Sequence, residues 1–206
     1  MCRFPGIFAA DRYLCIRYPA IAAVHSAAGR PLNSKKMTID DLSKEQLKEL
    51  VRIYARNFLA IDGVWFQSVE RKEGMDEAMY HDCAAWRRYT EIEARRIKKF
   101  LGLPGHPGLD GLERAFSFRF SAFVNPCVEC VREEGALLYR VVDCQVQSTR
   151  RRKGMPPHPC KQVGVVEYTY FAKAIDDRIE CEAVSCYPDM TDDSCACCWR
   201  FTLSGE

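Results

Sequence analysis

The sequence predicts an α+β domain: N-terminal helices packed on a four-stranded antiparallel sheet. Three observations carry this. Apolar residues recur at steps of three and four as far as Phe123. Beyond Asn125-Pro126 the chain turns to short alternating segments, and two pairs of these are separated by one stretch with helical spacing. Helices gathered against one face of an antiparallel sheet satisfy all three.

The first helix opens on Ser43 followed by Gln46, the pattern of a capping box. Leu47, Leu50, Val51, Tyr54, Phe58, Ile61 and Trp65 then mark one stripe. Gly63 inside it predicts a kink or a close helix contact, since glycine costs about 1 kcal/mol relative to alanine in a helix. After "KEGMD", Met79, Cys83, Trp86, Ala94, Ile97 and Leu101 mark a second helix, stopped by Gly102 and Pro104. Leu109, Leu112, Phe116, Phe120 and Phe123 predict a third with an aromatic face.

"CVECVREEG" and "ALLYRVVDC" read as two strands joined at Glu134-Gly135 in a hairpin. "QVQSTRRRKG" is a short basic helix or turn, and "MPPHPCK" is too proline-rich for either helix or inner strand. In "VGVVEYTYFAKAIDD", Val163, Val166, Tyr170 and Ala174 fit helical spacing, which decides against the strand propensity of Val and Tyr. "RIECEAVS" and "CACCWRFTL" alternate as half-buried strands. Residues 1–37 lack a clear period and are expected to be a disordered or loosely packed extension, with Met37 the natural start; 38–206 form one α+β domain.

Thirty Lys and Arg stand against 28 Asp and Glu, a formal charge of +2, which argues against a dedicated nucleic-acid binder. No run of about 18 apolar residues is present, so no membrane span is expected. The apolar section near the N-terminus is interrupted by Asp11, Arg12 and Arg17 and broken by Pro5 and Pro19, so it is expected to be non-targeting and not a signal peptide. Twelve cysteines without one imply a reducing cytoplasm, where thiols serve as ligands, nucleophiles or small core residues.

"CYPDMTDDSCACCWRF" concentrates four of those cysteines. On a strand Cys195 and Cys197 share the face of Trp199, whereas Cys198 points away. Cys127 and Cys130 have a zinc-like spacing, but a second pair to match is missing. No H-x-x-x-H or H-E-x-x-H pattern occurs. The thiols at element ends, Cys144, Cys160, Cys186 and Cys197, with His158 on the proline-rich loop, are the candidate cluster, and the four cysteines are the candidate ligands of a zinc or iron ion. Buried packing is the competing reading, because free cysteine is among the most buried residue types. Glu167 is a carboxylate in an apolar stretch, which must face solvent, pair with an arginine, or act as an acid/base group. Arg150, Arg151, Arg152 and Lys153 form either a solvated face or a carboxylate-binding group.

"LSKEQLKELVRIYARNFLAIDGVWFQSVER", "EARRIKKFLGLPG", "HPCKQVGVVEYTYFAKAIDDRIE" and "CYPDMTDDSCACCWRF" resemble an uncharacterised family of cytosolic proteins of anaerobic bacteria and archaea, over about residues 38 to 203. That family is similar to L-2-amino-thiazoline-4-carboxylate hydrolases and, more distantly, to the 4-vinyl-reductase domain. Cys186 followed by Cys197, Trp199 and Phe201 echoes the ending of the latter. Members of the uncharacterised family often read C-P-P-D where this chain has Cys186-Tyr187-Pro188-Asp189, and H-D-G where it has Ile61-Asp62-Gly63. The resemblance implies a 4-vinyl-reductase-like domain with a small-molecule pocket between helices and sheet. Its motif residues would be Cys160, Glu167, Cys186, Asp189 and Cys197.

Three functions compete. The first is a small-molecule-binding or sensing domain with a thiol or metal site, in which Trp65, Trp86, Phe116 and Phe120 line an apolar cavity. The second is a hydrolase of a small cyclic amidine or amide, with Cys160 or Cys186 as nucleophile, Glu167 as proton donor, Arg150 or Arg152 holding a substrate carboxylate, and Trp65 and Asp189 as further substrate contacts. The third is a structural or dimerising protein, with a second copy of the chain as partner.

Overall fold

The computed structural model describes residues 37–204; the expectations for the N-terminal extension lie outside them. A 3-10 turn at Ile39–Asp41 leads into five helices and four strands: α1 (Lys44–Glu73), α2 (Met75–Phe100), α3 (Gly108–Phe116), β1 (Cys127–Glu133), β2 (Ala136–Asp143), α4 (Gln145–Arg152), α5 (Cys160–Ile175), β3 (Ile179–Cys186) and β4 (Cys197–Leu203). The sheet is antiparallel throughout, in the order β1-β2-β4-β3. This is the predicted α+β arrangement. None of the described helices is long and apolar enough to cross a membrane.

α1 begins where the capping box places it. Ser43 Oγ accepts from the Gln46 N–H at 3.2 Å, while the Ser43 N–H donates to Gln46 Oε1 at 2.8 Å. Gly74, at φ +93°, ends α1 and starts α2 in a single residue, a conformation open to glycine at little cost. Gly63 differs from expectation. It sits in an unbroken helix, and a Cβ there would meet only Gln67 Nε2, at 3.9 Å.

The third helix is shorter than its aromatic spacing suggests. α3 stops at Phe116, Arg119 adopts extended backbone, and Phe120–Phe123 form a separate 3-10 turn. The cause is a buried charge. Extension at Arg119 turns its guanidinium inward to Glu93, whose Oε2 accepts from Nε at 3.0 Å, and Glu93 Oε1 accepts the Phe120 N–H at 3.0 Å. One carboxylate thus fixes both the arginine and the start of the turn.

The hairpin is tight, with Glu133 paired to Ala136 across Glu134-Gly135 and Gly135 at φ +68°. β1 is an edge strand, exposed along most of its length, and carries Cys127 and Cys130 on the outside. The inner face of the sheet presents Leu137, Tyr139 and Val141 from β2, Trp199 and Phe201 from β4, and Ile179 from β3 to α3 and α5. Phe116 stacks on Tyr139 at 4.3 Å between ring centroids, and Tyr168 of α5 stacks on Trp199 at 4.6 Å.

α5 approaches β4 closely because of Gly164. A Cβ on that residue would lie 2.5 Å from Trp199 Cζ2. α2 packs on the other side of α5, and α1 packs on α2, around a second apolar cluster of Phe66, Ala78, Met79, Trp86 and Val163. The order of layers is therefore sheet, α3 with α5, α2, then α1. α5, between helices and sheet, is the element from which both sides of the interior are reached.

Candidate functional site

The proline-rich loop and the first turn of α5 form the centre of the site. Prolines at 156, 157 and 159 prevent this loop from continuing either neighbouring helix. Gln147 of α4 holds it instead. Its Oε1 accepts the His158 N–H at 3.1 Å, and its Nε2 donates to the His158 carbonyl at 2.9 Å and to Cys160 Sγ at 3.1 Å. Arg150 anchors the same loop to α1, donating from Nε to the Pro156 carbonyl at 2.6 Å and from Nη1 and Nη2 to the two oxygens of Glu70 at 3.0 and 2.7 Å.

So held, His158 is buried, with its ring 4.7 Å from that of Phe66 between centroids. Nδ1 stands 3.2 Å from Cys160 Sγ, and Nε2 stands 3.8 Å from Asp82 Oδ2 of α2. Thiol, imidazole and carboxyl are thus in a row. Burial, assisted by the charge of Arg150, lowers the His158 pKa to about 4. Burial, with Asp62 and Glu167 nearby, raises that of Asp82 to about 8. Cys160 is pushed well above the ordinary thiol value by burial first and by Cys144 and Cys197 next, against the hydrogen bond from Gln147. The row at rest is a neutral thiol beside a neutral imidazole, not an ion pair.

The other thiols approach from the sheet. Cys144 follows β2 at the N-cap position of α4, with no side-chain cap hydrogen bond; burial raises its pKa to about 11 against the opposing influence of the Gln147 and Val146 backbone N–H groups. Cys186 and Cys197 are register partners across β3 and β4, and hydrogen bonding between them leads the causes that raise Cys197 well above its ordinary value. Cys144, Cys160 and Cys197 sense one another electrostatically, and Cys186 sits beside Cys197. A zinc cage requires sulfurs about 2.3 Å from one ion. Among the described residues, the only group of three or more potential ligand atoms mutually within 4.8 Å is His106, Asp176 and Asp177, so the four thiols do not form a closed cage. Asp176 in that group already accepts from Arg178 and from the Gly108 N–H.

Glu167 lies one helical face along from Cys160, seven residues on. Its Oε1 is 2.8 Å from Arg119 Nη2, and Arg119 is fully buried. Burial raises the Glu167 pKa while Arg119 opposes the rise. Of the alternatives open to this carboxylate, pairing with an arginine is the one observed. Arg119 Nη1 is left with no hydrogen-bond partner among the described residues.

A cavity of about 690 Å³ adjoins the thiols, lined among others by Cys144, Gln147, Met155, Tyr187, Met190 and Cys195. Gln147 is part of that wall and also donates to Cys160 Sγ, which is not itself in the lining. Trp65 lies elsewhere, on a smaller cavity between α1 and α2. Neither of the arginines expected to hold a substrate carboxylate lines the larger cavity, though Arg151 between them does. Arg150 is consumed by Glu70 and the proline loop, and exposed Arg152 donates to Thr149 of its own helix at 3.1 Å. Asp189 is exposed and pairs with Lys161 at 2.7 Å, while its carbonyl accepts the Cys186 N–H in the turn that contains the cis Tyr187-Pro188 peptide.

Residues 38–203 match the profile of DUF6125, a family of unknown function. The chain belongs to that family. No curated protein and no solved structure matches it. The match spans the whole of this site in the DUF6125 chain, from α1 to β4.

The sequence patterns of this DUF6125 member assigned no site role to Gln147, Arg119, Glu93, Asp82 or Asp62, the last appearing only in the Ile61-Asp62-Gly63 motif. For three of them a signal exists. Asp82 is three residues after Met79 and four before Trp86; Asp62 is four after Phe58 and three before Trp65; Glu93 is four before Ile97. Each is a carboxylate on the apolar stripe of an amphipathic helix, where an unpartnered charge is costly.

Proposed function

We propose that this DUF6125 protein is a small-molecule-binding domain with a thiol-centred site, the ligand occupying the cavity walled by Cys144 and Gln147. The observation that carries this reading is the 3.2 Å contact of His158 Nδ1 with Cys160 Sγ directly behind Gln147. In the tautomer this geometry favours, Nε2 carries its hydrogen towards Asp82 and Nδ1 accepts from the Cys160 thiol.

The same row favours a second reading, hydrolysis of a small cyclic amidine or amide. Cys160 Sγ would attack the carbon of the C–N or C=N bond while His158 Nδ1 takes the thiol proton and returns it to the departing nitrogen; water then releases the acyl group from sulfur. A buried, neutral nucleophile needs such a base, because its own pKa leaves almost no thiolate at neutral pH. Glu167, engaged by Arg119, is in this reading a fixed charge and not the proton donor.

Anaerobic labelling with iodoacetamide, mapped by peptide mass spectrometry, tests the site. Cys144 in the cavity wall should be modified in the folded protein, and Gln147→Ala should accelerate modification of Cys160 by removing the partition. Labelling of both cysteines only on unfolding, in wild type and variant alike, would reject it. Zinc and iron content of the same preparation tests the metal-bound version.

A further inference from the structure

The smaller cavity has a chemistry of its own, and it does not rest on the thiol reading. It has a volume of about 280 Å³ and lies between α1 and α2. Four rings wall it: Phe58 and Trp65 from α1, Trp86 and Tyr89 from α2. Phe58 and Trp86 stand at 83° to each other with centroids 6.3 Å apart, and Trp86 and Tyr89 at 89° with centroids 5.4 Å apart. Phe58 and Tyr89 stack on each other at 4.7 Å and 24°, so this pair turns ring edges and outer surfaces to the cavity, and Trp86 stands edge-on to both. Trp65, 43% exposed, leaves one side open to solvent.

The only carboxylate in the lining is Asp62. It has no ion-pair partner among the described residues. Behind it is Asp82, 4% exposed, whose one neighbour at ion-pair range is His158 Nε2 at 3.8 Å, an imidazole that burial keeps neutral. The Trp86 side chain lies within hydrogen-bonding reach of both carboxyls. Glu167 adds to the negative potential felt by each, and its own partner, Arg119, is shared with Glu93. Arg150 is committed to Glu70. Burial keeps Asp82 protonated at neutral pH, so the charged carboxylate that faces the aromatic cavity is Asp62, and Arg119, the buried arginine beside Glu167, is already shared by two other carboxylates.

We propose that this cavity binds a small organic ammonium ion, with the rings of Phe58, Trp65, Trp86 and Tyr89 around its alkyl groups and Asp62 as its counter-charge. A quadrupole-rich wall attracts a desolvated cation, and the alkyl substituents of an ammonium fill the apolar space that a hydrated metal ion would not. An anion is disfavoured by the carboxylates. A neutral apolar ligand would gain from the rings alone and leave Asp62 covered with no counter-charge, only the Trp86 side chain within hydrogen-bonding reach.

Choline and dimethylbutanol, its uncharged carbon isostere, separate these cases. Two of the three tryptophans, Trp65 and Trp86, are in the wall, so intrinsic fluorescence reports occupancy. The expected result is a saturable change with choline and none with dimethylbutanol at the same concentrations. Asp62→Asn should weaken choline binding about tenfold. If that variant fails to fold, Trp65→Ala, at a partly exposed position, should weaken it to a comparable degree. Equal responses to choline and the alcohol, or no saturable response to choline in the folded protein, would overturn the proposal.

Discussion

Asp82 and His158 face each other with pKa values displaced in opposite directions, so their effects on stability oppose. Asp82 has a folded value of about 8 against 3.8 for a free aspartate, so the folded state holds a proton that the unfolded chain releases. Stability from this group is complete below pH 3.8 and is lost as pH rises towards 8, at about 1.4 kcal/mol per unit for a single fully displaced group. His158, at about 4 against 6.5, acts the other way: its contribution is present above 6.5 and is lost as pH falls towards 4. Between roughly pH 4 and 6.5 the two offset each other, and above that window the cost of Asp82 stands alone. Asp82→Asn should accordingly be more stable than wild type at pH 8, by several kcal/mol at most, with the gain shrinking steadily towards pH 4. Urea unfolding of both proteins across this range measures it; a pH-independent difference would show that Asp82 is not a buried acid. These residues were legible in part. Cys160 and His158 stand two apart on a loop conspicuous for its prolines, but their carboxyl partner comes from 76 residues earlier, as the numbering of Asp82 and His158 shows, and no local pattern joins them.

At the scale of elements, local chemistry was a good guide wherever the chain itself supplied the partner. The capping box starts α1, Gly135 closes the hairpin, and helical spacing outweighed strand propensity in α5. The run past Phe116 misled because aromatic spacing cannot register a distant charge: Glu93, on α2, takes hold of Arg119 and breaks the helix. Two helical glycines separate function from accident. Gly164 is required by Trp199, whose ring lies 2.5 Å from where a Cβ would be, so Gly164→Ala should destabilise by about 1–3 kcal/mol through forced displacement of α5 from β4. Gly63 has open space around its Cβ position, so Gly63→Ala should stabilise by about 0.4–1 kcal/mol. Urea midpoints of the two variants should therefore move in opposite directions. A common sign would mean that the approach of α5 to the sheet is not set by Gly164.

For the whole molecule, the layering explains why a site assembles at all. α5 is covered by the sheet on one side and by α2 on the other, and its inner stripe carries Cys160, Gly164 and Glu167 in consecutive turns. β3 and β4 bring Cys186 and Cys197 into register, while the end of β2 supplies Cys144, so Cys144, Cys160 and Cys197 come within electrostatic range of one another where the sheet ends and α5 begins, without grouping at ligand distance. That these four thiols lie at element ends could be anticipated from the strand and helix patterns. The acid-rich side of the interior could not, because it depends on how α1 and α2 rotate their carboxylates inward. The pairing of Cys160 with His158 is the point on which the site turns, and nitrogen NMR of the His158 ring reads it directly. A neutral ring held by the thiol should titrate with a midpoint of about 4 and populate the Nε2–H tautomer, and Cys160→Ala should redistribute the tautomers. A midpoint near 6.5, with tautomer populations unchanged by Cys160→Ala, would show that thiol and imidazole do not act as a pair.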